Sequence, residues 1–161
     1  MTTSSNRQLD DAINATKEGD YLRALTTFVD VYGGEEAAIK SSKAALGLSY
    51  FAVCLALIQK KYKSAIDLCR RAIELQFYNG DHYANLTRVY VAAGNRKKAL
   101  ETVEQGLKQM PDYEPLLELR HELGVRAKPP LPFLDRSHPI NVSLGQSRHA
   151  KKLAERDKKK R

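Results

Sequence analysis

Apolar residues in this chain recur three and four positions apart, as in Leu9, Ala12 and Ile13 or Leu116, Leu119 and Leu123, and alternating runs are scarce. That period is helical, so the pattern predicts an all-α chain. One stretch stands apart: Ala44 to Ile58 is 15 residues long and nearly all apolar, broken only by small Gly47 and Ser49. It is too short for a membrane span, which needs about 20 residues. A helix with almost no polar side expects contact all round.

The helical pattern also repeats. Ala65-Ile66-Asp67-Leu68-Cys69 and Ala99-Leu100-Glu101-Thr102-Val103 share a small residue, an aliphatic and a further packing position, and Ala65 and Ala99 lie 34 residues apart. An earlier copy, Ala24-Leu25-Thr26-Thr27-Phe28, precedes Ala65 by 41 residues, so about 7 extra residues separate it from the second, entering at Gly33-Gly34. Turns at Gly19-Asp20, Lys60-Lys61 and Gly94-Asn95 divide each unit into two helices. Small side chains at Ala24, Ala65 and Ala99 let paired helices approach to the usual ~8–10 Å. Pro111 stops the last of these helices. A single hairpin cannot bury its apolar face alone, so the units must stack.

The third unit carries the most specific pattern: Tyr83-x-x-Leu86-Thr87-x-x-Tyr90, then Ala99, Val103 and Pro111. This resembles a tetratricopeptide repeat (TPR), with Tyr, Thr and Val standing where Trp, Gly and Phe are usual. The second unit fits less closely, through Ser49, Ala52, Val53, Ala56, Ala65, Cys69 and Phe77, and the first keeps Ala12, Ala15, Gly19, Ala24 and Phe28. The resemblance implies an α-solenoid of antiparallel hairpins over residues 1–123, with units at about 5–38, 46–79 and 80–111 and a capping helix at 112–123. It also implies a concave groove lined by the first helix of each unit. Matching positions are Leu9 and Ile13; Tyr50, Phe51, Cys54, Leu57 and Ile58; and Asp81, Ala84, Asn85, Arg88 and Val91. The middle set is markedly apolar, so the groove needs a cover: the chain's own segment 128–134, a second copy, or a foreign peptide. Some family members grip a partner's C-terminal carboxylate with Lys, Asn and Arg on these helices. Leu9, Ile13, Tyr50, Cys54, Asp81 and Asn85 stand in that region here, so the resemblance implies that this mode is absent.

Charge adds a second surface. Residues 1–123 hold 16 Lys+Arg and 16 Asp+Glu, whereas residues 124–161 hold 11 and 3, so the whole net charge of +8 belongs to the C-terminal part. Residues 124–146 read as a Pro-containing extended arm. Residues 147–161 read as a disordered basic tail, with Lys151, Lys152, Lys158, Lys159, Lys160 and Arg161 and no aromatic residue. Such a tail suits nonspecific contact with nucleic acid or an anionic surface, without base stacking. Lys60, Lys61, Lys63, Arg96, Lys97 and Lys98 flank two turns and form a basic edge if the units stack.

Catalytic chemistry is not signalled. The four histidines are scattered, and no nucleophile elbow, zinc motif or phosphate loop is present. Cofactors are not expected. Cys54 and Cys69 have no C-x-x-C spacing and no secretory leader is visible, which suggests a reducing, cytoplasmic setting. The sequence therefore predicts a non-enzymatic adaptor that binds a protein, peptide or helix in an apolar groove. A polyanion-binding module acting through the tail, and a small repeat-type chaperone, are the alternatives.

Overall fold

The computed structural model describes residues 3–40 and 44–124, with Leu131, His138, Pro139, Ile140, Ser143, Leu144 and Ser147 beyond them. Two compact units divide the chain, Met1–Gly124 and Val125–Arg161. Apart from the named positions, the arm at 124–146, the segment 128–134 and the basic tail at 147–161 lie outside the described residues.

The first unit is an all-α solenoid. Its helices are α1 (Thr3–Glu18), α2 (Tyr21–Tyr32), α3 (Glu35–Lys40), α4 (Ala45–Cys54, extended by a π-helical turn Leu55–Gln59), α5 (Tyr62–Leu75), α6 (Gly80–Ala92), α7 (Arg96–Gln109) and α8 (Glu114–Leu123). α1 packs on α2, α4 on α5 and α6 on α7 as hairpins; α8 packs on both α6 and α7. Across hairpins α1 touches α4, α4 touches α6 and α6 touches α8, so these four helices form one row. The short α3 occupies the insertion after Gly33-Gly34 and touches α2 and α5.

Local chemistry sets the boundaries. Asp20, Asn79 and Asn95 accept hydrogen bonds from the backbone N–H of Arg23, Asp81 and Lys98, closing the open first turns of α2, α6 and α7. Gly19, Lys60 and Gly94 each enter the left-handed region at the same turn of their hairpin, with φ of +88°, +56° and +72°. The middle unit thus makes with lysine the turn that its neighbours make with glycine. It does so after the wide π turn, where the Lys61 N–H reaches back to the Leu55 carbonyl at 3.3 Å.

The core runs through the whole unit and centres on α4, which α1, α2, α5 and α6 surround. Leu48, Phe51, Ala52, Cys54 and Ala56 have no exposed surface. Phe28 and Tyr32 pack on Phe51 with ring centroids 5.6 and 6.0 Å away, and the Tyr32 hydroxyl donates to the Ala44 carbonyl at 3.0 Å. Gly47 lies under Tyr32, whose hydroxyl a Cβ would strike. Ala24, Ala65 and Ala99 are wholly buried at the close approaches within hairpins.

Holding an L residue in the left-handed region costs about 1–2 kcal/mol, against a backbone entropy cost of about 0.5–1 kcal/mol for glycine. Lys60→Gly is therefore expected to stabilise the fold by roughly 0.5–1 kcal/mol. The measurement is urea denaturation: the midpoint rises at constant slope. A lowered midpoint would contradict this account of the turn.

Candidate functional site

The row α1, α4, α6 and α8 faces an open cleft of about 470 Å³. α1 contributes Thr16 and Lys17 at its C-terminal end, and Tyr21 at the start of α2 stands beside them. Tyr50 and Val53 enter from α4, one turn apart, and Asp81, Asn85 and Arg88 from one face of α6. Tyr113 and Pro115 close the far side at the start of α8. Its volume is within the range of ordinary ligand sites, but its lining is polar and charged.

Two networks fix this lining. In the first, Asp81 Oδ1 accepts from the Tyr50 hydroxyl at 3.1 Å and the Tyr113 hydroxyl at 2.9 Å, so one carboxylate ties α4, α6 and α8 together. Tyr113 reaches it by lying flat against Gly80, where a Cβ would come within 2.5 Å of the ring. In the second, Ser49 Oγ lies 3.0 Å from the Leu46 carbonyl, 3.2 Å from Asn85 Nδ2 and 3.0 Å from His82 Nδ1. The serine has one proton, which goes to the carbonyl; its two lone pairs then accept from Asn85 and from His82. His82 must therefore carry its proton on Nδ1. Asn85 Oδ1 in turn accepts from Arg88 Nη1 at 2.8 Å, which orients the guanidinium at the cleft.

Burial shapes the acid–base behaviour. The His82 imidazole is pushed down to about 4 by desolvation, which the Asp81 carboxylate opposes. Its Nε2 is buried without a hydrogen-bond partner, so a second proton there would meet no acceptor. Burial, and next its bond and charge interaction with Asp81, raises the Tyr113 phenol to about 12, and the Tyr50 phenol is raised by the same causes. Both remain neutral donors at ordinary pH. The Lys17 ammonium lies 5.6 Å from the centre of the Tyr50 ring, a cation–π distance.

Of the groove residues predicted from sequence, Tyr50, Asp81, Asn85 and Arg88 do line this cleft, while Ala84 is wholly buried. Leu9, Ile13, Phe51 and Cys54 do not: they are buried in the core, because the helices around α4 occupy the sides that a groove ligand would need. Leu57 is half-buried against the core, while Ile58 and Val91 are exposed and lie outside the cleft lining. The cleft along these helices has a polar lining, and most of the apolar positions of α1 and α4 are packed inside the fold. Cys54 is held as a thiol, its pKa raised to about 11 by burial. Burial raises Cys69 as well.

On the basic edge, Lys61 pairs with Glu35 at 3.0 Å, Lys97 approaches Glu101 at 4.0 Å, and Arg96 donates to the Gly124 carbonyl at 3.2 Å. Lys98 lies over the Tyr90 ring at 5.8 Å, and Lys60 and Lys63 are exposed. Lys151, Lys152, Lys158, Lys159, Lys160 and Arg161 lie outside the described residues. Sequence reasoning missed Thr16, Lys17 and Tyr113 in the cleft. One signal was available for Tyr113: Tyr50, Asp81 and Tyr113 are spaced by 31 and 32 residues, close to the repeat period.

Residues 56–122 match the family model of the tetratricopeptide repeat. No curated protein matches the sequence. Among solved structures, the TPR2B domain of yeast Sti1, in a complex with an Hsp70 peptide, superposes with a TM-score of 0.58 at 16% identity, covering 76% of this chain and 97% of that one. The second TPR domain of human RPAP3, bound to the HSP70 peptide SGPTIEEVD, gives 0.54 at 22% identity, covering 72% and 91%. The Sgt2 TPR domain from Aspergillus fumigatus gives 0.55 at 15% identity, covering 86% and 93%. At these identities the likeness is one of fold.

The pH dependence of stability tests the His82 assignment. Its folded value of about 4 lies below the ordinary 6.5, so between these values the unfolded chain binds the extra proton. The contribution is therefore complete above pH 6.5 and declines as pH falls toward 4. Urea midpoints of the wild-type protein are expected to drop more steeply over this window than those of His82→Gln. Parallel curves would place the imidazole in a wetter setting than the structure does.

Proposed function

We propose that this chain, whose residues 56–122 match the tetratricopeptide-repeat family model, serves as a non-enzymatic adaptor holding a peptide segment of a partner protein in the cleft of α1, α4, α6 and α8. The observation that carries this reading is the polar lining held in place by two hydrogen-bond networks, one buried and one part-buried. The Asp81 carboxylate already takes two phenolic hydroxyls, whereas Lys17 and Arg88 have no acidic partner among the described residues. Both are exposed and positioned, Lys17 by the Tyr50 ring and Arg88 by Asn85. Two oriented cations on a rigid frame favour a segment with an acidic side chain between them, with little ordering cost on the protein's side.

The peptide-bound domains of Sti1 and RPAP3 share this fold and support a peptide as occupant. The predicted site therefore shifts from the apolar positions to Lys17, Tyr50, Asp81, Asn85, Arg88 and Tyr113. Nothing in this reading asks the protein to make or break a covalent bond.

A photo-crosslinking amino acid placed at position 17, in protein expressed in its own host cells, is expected to yield a discrete adduct. The same probe at Leu22, exposed on α2, should not give that adduct. Adding Arg88→Glu should reduce the yield at least tenfold while helical content and urea midpoint stay unchanged. A smear common to both positions, or an adduct indifferent to Arg88→Glu, would remove the cleft as the binding site.

A further inference from the structure

α6 presents two faces. Asp81, Asn85 and Arg88 face the inner cleft, while Tyr83, Leu86 and Tyr90, on the opposite side, form the floor of a second and larger cleft of about 630 Å³ walled by α5 and α7. We propose that this outer cleft is a second docking site, for a short extended peptide segment that combines acidic side chains with one large apolar side chain. It stands independently of any role for the inner cleft.

Charge is the first argument. Arg70 on α5 and Lys98 and Lys108 on α7 line the cleft, are exposed, and have no ion pair among the described residues. The two acids of the lining are already engaged: Glu74 pairs with Arg71 at 3.1 Å and Glu101 lies 4.0 Å from Lys97. The uncompensated charge is therefore positive. Two of its carriers are also positioned, since Arg70 Nη2 donates to the Tyr90 hydroxyl at 3.3 Å and the Lys98 ammonium lies 5.8 Å from the centre of the same ring. One aromatic side chain holds a cation from each wall across the cleft.

An apolar anchor point is the second. Phe77, at the end of the α5 wall, is 44% exposed, and its ring meets that of Tyr78, 76% exposed, edge-on at 4.7 Å. With half-buried Ile73 one turn earlier on the same wall, these rings offer a pocket for one large apolar side chain. Length is the third. From Lys98 to Gln109, α7 runs about 16 Å, which matches about five residues of extended chain. Gln105 on that wall supplies both a donor and an acceptor for a peptide backbone, whereas Thr102 Oγ1, whose proton goes to the Lys98 carbonyl at 2.8 Å, has acceptor capacity only. A phosphate polymer fits less well, because it carries no large apolar side chain for the pocket at Ile73 and Phe77.

The test uses the full-length protein and a fluorescent, terminally blocked heptapeptide of six glutamates around a central photoreactive phenylalanine analogue. Blocked ends remove any free carboxylate terminus. Mapped crosslinks are expected on α5 and α7, around Ile73, Phe77 and Gln105. Arg70→Glu with Lys98→Glu should abolish them, Lys108→Glu alone should weaken them several-fold, and Arg88→Glu in the inner cleft should leave them unchanged. The glutamine version of the peptide should not crosslink there. Circular dichroism and urea midpoints establish that the exposed substitutions leave the fold intact; if the double variant unfolds, Lys108→Glu alone decides. Crosslinks confined to the inner cleft or the C-terminal residues, crosslinks that survive the charge reversals, or displacement by a single-stranded oligonucleotide but not by unlabelled peptide would each overturn the proposal.

Discussion

The burial of α4 on all sides governs the rest of the molecule. A ten-residue helix whose side chains from Leu48 to Cys54 have almost no contact with water cannot exist in an isolated hairpin. It requires α1, α2, α5 and α6 at once, so the three hairpins form one cooperative body. The aromatic group of Phe28, Tyr32 and Phe51 and the small residues Gly47, Ala24 and Ala65 allow those neighbours to approach it closely.

The same burial makes the polar links through α4 decisive. Ser49 is the one hydroxyl on this helix that is wholly inside the structure, and it meets three partners with no capacity left over. A fully satisfied network of this kind specifies how α6 sits on α4, because any slip leaves a donor or acceptor stranded in a poorly polarizable interior. It also projects outward: Asn85 hands the order of the core to Arg88 at the surface. The placement of the side chains that line the inner cleft is therefore an extension of the packing.

The all-α fold class was legible in the sequence, because it rests on spacing and on residues with narrow roles. Ala65 and Ala99 mark close helix contacts, and Gly19 and Gly94 mark left-handed turns. The lining of the cleft was much less legible. On a helix that is apolar all round, the pattern carries no direction, so Phe51 and Cys54 could not be told apart from groove positions until the neighbours were placed. Lys17, at the end of α1, and Tyr113, at the start of α8, come to the cleft from separate parts of the repeat and meet α6 only through the stacking. Lys60 shows the converse limit: its left-handed turn is set by position in the repeat, against its own preference.

One helix, α6, is the shared wall of two clefts that open on opposite sides of the molecule. Asp81 and Tyr90 belong to a single rigid rod, so a guest that rolls this rod to improve its own fit necessarily re-aims the groups offered to the other side. Were guests to occupy both clefts as proposed, one that rolled α6 would be felt by the other, and by linkage the influence would be equal both ways. The architecture provides a mechanical route for communication between two guests that never touch.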